Sequence, residues 1–356
     1  TTETDSDRPT RAMDTASIIY NIPPPPGWKN GVVVDADSPG IAPWAFHAQH
    51  GYDKFSGSLD RVTGFAACTK QVPVCVRNGR TASETPSLAE HGFELVSDAT
   101  DATTCQAGAL EHALLREDEH VTGTYYDEAC NLARRLLPGA SAAYAFNHVH
   151  RQSRVQRPSA NLPRHATTCS VPSYMCHADS TASSVLANVK AHVASGEYAS
   201  VGPTHLSADQ AAILAAADRV VVLNIWRLVS NFGKPVPTHL GLCDQRSVTL
   251  DQDALEYNFF VDGCVAYNYG LTASQAHHHR WFHFPRLAAH EAVVFKAYDS
   301  GHASQGATPS WVFHCAVDDP SCPPDAPERE SMEIRVALAF PGPPTDELST
   351  SREDIP

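Results

Sequence analysis

The sequence lacks both a long apolar run and a cluster of basic residues. No stretch approaches about 18 consecutive apolar residues, the length that a membrane-spanning helix requires. Lys and Arg number 26 against 40 Asp and Glu, so the formal charge is -14. A polyanion needs clustered cations, and no Lys/Arg-rich run offers them. We therefore expect a cytoplasmic protein that binds neither membrane nor nucleic acid, and the composition leaves its oligomeric state open.

Short cysteine spacings and nucleotide-binding loops are also missing. The chain has ten cysteines but no CxxC pair, whereas structural zinc sites prefer short chelating spacings. No GxGxxG or GxxxxGK motif follows a predicted strand, and no GxSxG motif occurs. The sequence therefore gives no support for a zinc module, for a dinucleotide, methyl-donor or nucleotide site of the doubly wound kind, or for a serine-hydrolase elbow.

The second half of the chain is rich in short runs typical of β-strands. They cover residues 220–226, 262–269, 280–284, 292–298, 311–317 and 332–340, with turn residues between them. Helical spacing of apolar residues occurs instead in 107–137, interrupted at 123–126, and in 182–192 and 207–217. Ser207 is placed to cap the last of these helices.

These patterns predict a mainly β chain with flanking helices and a double-stranded β-helix, or jelly-roll, core. The sequence of a jelly roll typically contains many short predicted strands separated by turns. We expect one domain over residues 16–342 with a helical insertion at about 182–217. The segments 1–15 and 343–356 are polar or rich in Pro, Ser, Thr and acid, so we expect both to be mobile.

A spacing of two residues separates His177 from Asp179. On a strand, side chains two positions apart point to the same face about 7 Å apart, so both can reach one cation. A second histidine from a distant strand completes a 2-His-1-carboxylate set, which leaves positions open for a 2-oxo acid and O2. His314 is the best candidate because it lies in an apolar run. The sequence thus predicts Fe(II) held by His177, Asp179 and His314.

Two arginines near the last strand are candidates for binding the far carboxylate of 2-oxoglutarate. Arg329 has Ser331 two residues on, and a guanidinium can grip a carboxylate with two hydrogen bonds. Arg335 would face the same side of an uninterrupted strand. If the strands of His314 and Arg329 form an antiparallel hairpin, Arg329 lies deeper in the barrel than the metal. This favours Arg329 and leaves Arg335 as the alternative.

Other polar residues have simpler interpretations. Consecutive residues diverge in direction, so His277, His278 and His279 are not expected to form one metal site. His148 and His150 alternate on a predicted strand without an obvious acid partner, so a packed or exposed role is favoured. Charged residues that flank strands usually form ion pairs; among Arg227, Asp244, Arg246 and Arg280, only Arg280 is kept as a candidate substrate-binding residue.

Several segments resemble a known family. They cover residues 17–26, 91–93, 144–148, 224–227, 243–247, 295–300 and 316–320, together with HRWFHFP at 279–285 and PERESMEIR at 327–335. The chain resembles the fungal hydroxylase/desaturase family of secondary metabolism, which is related to a cephamycin 7α-methoxylation component described as a methyltransferase. The resemblance implies a jelly-roll oxygenase that uses Fe(II), 2-oxoglutarate and O2 to hydroxylate, desaturate or cyclise a small natural-product intermediate.

Two features depart from that family, and two other classes of function stay open. Ala178 stands where family members often have Val, and residues 267–278 form an unusually long, His-rich segment, expected to be a loop. The first alternative is another enzyme, either an iron oxidase that does not use 2-oxoglutarate or a methyltransferase. The second is a β-sandwich binding module in which the His and Asp residues are structural.

Overall fold

The computed structural model describes residues 13–21, 69–98, 113–152, 172–179, 206–261, 264–301 and 309–342. Within these ranges the strands are β1 (Met13–Asn21), β2 (Thr69–Asn78), β3 (Phe93–Ser97), β4 (Ala142–Gln152), β5 (His177–Ala178), β6 (Arg219–Leu228), β7 (Thr238–Cys243), β8 (Ala254–Val261), β9 (Cys264–Leu271), β10 (Trp281–His283), β11 (Glu291–Asp299), β12 (His314–Asp318) and β13 (Glu330–Phe340). The predicted helix 182–192 and the terminal residues 1–12 and 343–356 lie outside the described residues.

The strands form two sheets. The eight-stranded sheet has the order β1-β2-β10-β7-β12-β5-β9-β8, and the five-stranded sheet has the order β3-β11-β6-β13-β4. Nearly all neighbouring strands are antiparallel; β2 and β10 are parallel. Apart from the consecutive pairs β1–β2 and β8–β9, neighbouring strands in the sheets are not consecutive along the chain, as in the predicted jelly roll.

Each face of the five-stranded sheet packs on a different layer. The helices of the described residues are α1 (Asp118–His120), a π-helical turn (Val121–Tyr125), α2 (Tyr126–Leu136), α3 (Ala208–Ala216) and α4 (Leu250–Asp253), with short 3-10 helices at Ala113–Arg116, Gln245–Ser247 and Ala273–Gln275. Ile225 and Ile334 point outward and pack on α2. Trp226 and Phe295 point inward and pack against Leu242 of the eight-stranded sheet. Burial of each such side chain contributes about 1.5–3 kcal/mol.

The predicted helix 107–137 differs from the structure in two respects: Ala113–Arg116 is a separate 3-10 helix, and the expected break is helical. The expected break at 123–126 is a π-helical turn inside a continuous helical segment that runs from Asp118 to Leu136. The Ser207 cap occurs as predicted: its Oγ accepts from Gln210 N at 3.2 Å, and Gln210 Oε1 accepts from Ser207 N at 2.9 Å. This reciprocal pair satisfies two backbone donors at the start of α3.

The strands differ from the sequence prediction at four places. Residues 254–261 form β8, which the sequence analysis did not predict. The predicted loop 267–278 begins later than expected, because β9 extends to Leu271 and only the residues after it form a 3-10 helix and turns. The run 311–317 becomes a strand only at His314. The predicted hairpin of β12 with β13 does not form, because β12 belongs to the eight-stranded sheet and β13 to the five-stranded sheet. The register argument that placed Arg329 and Arg335 therefore fails.

Candidate metal centre

Three side chains from two neighbouring strands converge on one point. His177 begins β5, Asp179 directly follows that strand, and His314 begins β12. His177 pairs with His314 across the two strands, so their rings lie 4.5 Å apart between centroids. Asp179 Oδ1 lies 3.6 Å from His177 Nε2 and 3.8 Å from His314 Nε2. The donor atoms all lie within 4.8 Å of one another, which allows them to share one metal ion.

Backbone carbonyls orient both imidazoles. His177 Nδ1 lies 2.8 Å from the carbonyl oxygen of Met175, and His314 Nδ1 lies 3.2 Å from that of Val312. A carbonyl oxygen only accepts hydrogen bonds, so each Nδ1 carries a proton and each Nε2 points toward the shared position. Metal-binding histidines are usually held in this way.

The charge states suit a divalent cation. Burial, with a further effect of His177, lowers the pKa of His314 to about 3, so this imidazole is neutral near pH 7. Burial by itself would raise the pKa of Asp179, but the positive charge of Arg335 opposes burial, and the pKa lies well below its usual range. Two imidazoles and one carboxylate form the donor set that non-haem Fe(II) favours.

Arg329 is buried with few compensating contacts. It is 2% exposed, its Nη1 donates to the carbonyl oxygen of His239 at 3.3 Å, and its guanidinium carbon lies 5.7 Å from the ring centre of Trp226. Among the described residues, Arg329 Nε and the buried Oγ of Ser331 have no hydrogen-bond partner. Burial lowers the pKa of Arg329 to about 10. A guanidinium buried in this state is costly unless an anion joins it.

Strand β6 connects this arginine to the metal centre. Asn224 Nδ2 donates to Asp179 Oδ2 at 2.6 Å, and Trp226 contacts Arg329. The two β6 residues share one face and lie about 7 Å apart. Strand β6 therefore carries one side chain bonded to Asp179 and another in contact with Arg329.

A sequence profile of the family described as "Oxidoreductase/YMDC permease-like domain" matches residues 50–340. This is most of the 356 residues. The chain belongs to this family. The description of the family agrees with the enzyme class expected from the sequence, an oxidoreductase. A comparison with curated proteins finds no match. Among the described residues, no helix is long and apolar enough to cross a membrane.

Solved structures also resemble this oxidoreductase domain. The iron and alpha-ketoglutarate-dependent endoperoxidase NvfI superposes with a TM-score of 0.61 at 18% identity, covering 92% of this chain and 98% of that chain. The same enzyme in a different conformation gives a TM-score of 0.63 at 17% identity, covering 94% of this chain and 100% of that chain. A variant of that enzyme, in which one tryptophan is replaced by phenylalanine, gives a TM-score of 0.61 at 19% identity, covering 92% of this chain and 97% of that chain. The likeness confirms the predicted jelly-roll fold.

Arg335 lies beside the candidate metal centre. Its Nη2 donates to Asp179 Oδ2 at 3.1 Å and to Glu333 Oε1 at 2.9 Å, and its Nη1 donates to Asn147 Oδ1 at 2.6 Å. Arg335 therefore already bonds two carboxylates, whereas Arg329 bonds none among the described residues. This difference in partners, rather than the predicted hairpin, distinguishes the two arginines.

The remaining candidates take part in ion pairs. Arg280 lies 2.9 Å from Asp244, which Arg246 also contacts at 2.9 Å. These contacts give the predicted substrate role of Arg280 no support. His150 Nε2 lies 2.9 Å from Glu330 Oε1, so the expectation that it lacks an acid partner was wrong. His279 is buried 3.6 Å from Asp253.

Sequence reasoning missed Asn224 and Glu333 near the centre. Asn224 is fully buried, and Glu333 is 5% exposed. A signal existed for Asn224, since it is the one polar residue in the otherwise apolar run 220–226. A buried amide in such a run requires a hydrogen-bond partner, and Asp179 supplies it here.

Proposed function

We propose that the chain is an Fe(II)- and 2-oxoglutarate-dependent oxygenase that acts on a small natural-product-like molecule. The observation that carries the proposal is Arg329, a buried guanidinium with no carboxylate partner among the described residues. Family membership supports the oxidoreductase class, and the His-Asp-His cluster supports a metal-dependent reaction.

His177, Asp179 and His314 hold the iron in this proposal. A bound Fe(II) ion supplies the activation of O2, coupled to oxidative decarboxylation of 2-oxoglutarate to succinate and CO2. Three ligands leave positions open, so the 2-oxo acid end of the cosubstrate can chelate the metal. Hydroxylation, desaturation and oxidative cyclisation all use the same three ligands.

Arg329 and Ser331 bind the far carboxylate of 2-oxoglutarate. The guanidinium offers donors in a planar fork that matches a carboxylate, and the Ser331 hydroxyl adds one more hydrogen bond. A bound carboxylate also provides hydrogen-bond acceptors for two buried groups that lack a partner among the described residues, Arg329 Nε and Ser331 Oγ. An unmade hydrogen bond of a buried group costs about 1–3 kcal/mol, so their satisfaction favours the ligand.

The test uses purified full-length protein loaded with Fe(II). We expect O2-dependent formation of succinate from 2-oxoglutarate, and visible absorption that develops under anaerobic conditions when the 2-oxo acid chelates Fe(II). Pyruvate is the matched control ligand, since it has the chelating end but lacks the far carboxylate. We expect it to bind much more weakly.

Three results would contradict the proposal in distinguishable ways. Iron binding without any effect of 2-oxoglutarate favours an iron oxidase that does not use it. Equal binding of pyruvate and 2-oxoglutarate removes Arg329 from the site. Failure to bind any divalent metal leaves a non-catalytic β module.

A further inference from the structure

One carboxylate oxygen of Asp179 is fixed by two side chains of the five-stranded sheet. Asp179 Oδ2 accepts from Asn224 Nδ2 at 2.6 Å and from Arg335 Nε and Nη2 at 3.3 and 3.1 Å. Asn224 and Arg335 are paired neighbours on β6 and β13. The other oxygen, Oδ1, faces the Nε2 atoms of His177 and His314. The carboxylate is therefore oriented so that Oδ1 alone points to the metal position.

Arg335 is itself held on its far side. Asn147 accepts from its Nη1 at 2.6 Å and Glu333 from its Nη2 at 2.9 Å. Asn147 is the residue opposite Arg335 on β4. Burial raises the pKa of Glu333, although Arg335 opposes that effect. Contacts on several sides fix the plane of the guanidinium, which the single ammonium group of a lysine could not reproduce.

We propose that Arg335, together with Asn224, is a positioning residue that holds Asp179 as a one-oxygen metal ligand. The inference rests on the proposed function in one respect, that the cluster binds a metal. A carboxylate can coordinate through one oxygen or both, and coordination through both would occupy a position that the cosubstrate or O2 needs. Arg335 thus acts on the metal through Asp179, whereas Arg329 acts on the cosubstrate.

The experiment compares the same substitution at two positions near one strand. Arg335→Gln and Arg329→Gln are each prepared as metal-free full-length protein and titrated with cobalt(II), whose visible spectrum reports coordination. 2-Oxoglutarate is then titrated at saturating Fe(II). We expect Arg335→Gln to weaken cobalt affinity about 10- to 100-fold and to alter the spectrum, with the 2-oxoglutarate requirement close to that of the wild type. Arg329→Gln should leave the cobalt affinity close to that of the wild type and should raise the 2-oxoglutarate requirement.

Two further variants guard against a purely structural effect. Asn224→Ala removes the other donor to Oδ2, so it should change cobalt affinity in the same direction as Arg335→Gln. Arg335→Lys keeps the charge and should recover only part of the loss. Thermal melting accompanies every variant. If Arg335→Gln does not fold, Arg335→Lys and Asn224→Ala decide the question by the same two titrations.

Each outcome decides the proposal. Wild-type cobalt affinity in Arg335→Gln overturns it and leaves the proposed oxygenase function intact. A raised 2-oxoglutarate requirement with unchanged cobalt affinity also overturns it and makes Arg335 the cosubstrate anchor. If the wild-type protein binds no cobalt or iron, the proposed function fails as well.

Discussion

Arg329 and Arg335 carry the same functional group, yet the structure gives them different partners. Arg335 bonds Asp179 and Glu333, whereas Arg329 contacts only a backbone carbonyl and an aromatic ring among the described residues. A cation that already bonds two carboxylates has little left to offer a third. At the scale of single residues, the different partners therefore give the two arginines different expected roles.

Arg329→Gln should raise the 2-oxoglutarate requirement at least about a hundredfold while iron stays bound. Removal of one partner from a buried charge pair costs about 3 kcal/mol or more, and every 1.4 kcal/mol is a factor of ten. The measurement is succinate formation against 2-oxoglutarate concentration, together with iron content. An unchanged requirement would exclude Arg329 as the anchor.

His177→Ala should abolish iron binding with little change in thermal melting, because His177 lies at the partly exposed side of the centre. His314→Ala should also abolish iron binding, but with some loss of stability. Its ring is buried and lies 4.7 Å from that of Phe295, so a cavity forms. Iron content and melting are measured together. Full iron occupancy in either variant would remove that histidine from the proposed ligand set.

Helix α3 shows how a local signal and tertiary packing combine at the scale of elements. The capping pair of Ser207 and Gln210 starts the helix, and Leu214 buries its side chain against the sheet residues Val222 and Ala337. The cap is local and readable from the sequence. The packing partner lies in strands far away along the chain.

Ser207→Ala should lower the free energy of unfolding by about 1 kcal/mol, since a backbone donor loses its acceptor. Ser207→Asp is the matched control, because its carboxylate can accept the same hydrogen bond and should keep most of the stability. Urea unfolding of both variants measures the difference. Equal stability of Ser207→Ala and the wild type would show that the cap contributes nothing.

At the scale of the whole molecule, buried histidines link stability to pH. Burial, followed in size by the effect of His239, lowers the pKa of His283 to about 3, and neither ring nitrogen has a partner among the described residues. The unfolded chain binds this proton near pH 6.5, whereas the folded chain binds it only near pH 3. The stabilisation is therefore complete above pH 6.5 and is lost as pH falls toward 3.

We expect the free energy of unfolding to fall over that window, with a slope of at most about 1.4 kcal/mol per pH unit from His283. His283→Leu should flatten the profile. Urea unfolding between pH 4 and 7 tests this, and an identical slope in His283→Leu would contradict the linkage.

The sequence alone determined the features that depend on near neighbours. The two-residue spacing of His177 and Asp179, the Ser207 cap and the β-rich second half all follow from local geometry, and each occurs in the structure. The jelly-roll class followed from the number and spacing of the short strands. The proposed ligands His177, Asp179 and His314 lie together as predicted.

Only the tertiary structure decided what the strands pair with. β12 and β13 follow each other along the chain yet lie in different sheets, so the hairpin expected from the sequence does not exist. The partners of Arg335, the burial of Asn224 and the isolation of Arg329 all depend on that arrangement. The physical reason is that strand pairing joins residues far apart in sequence, where local propensity and spacing carry no information about the partner.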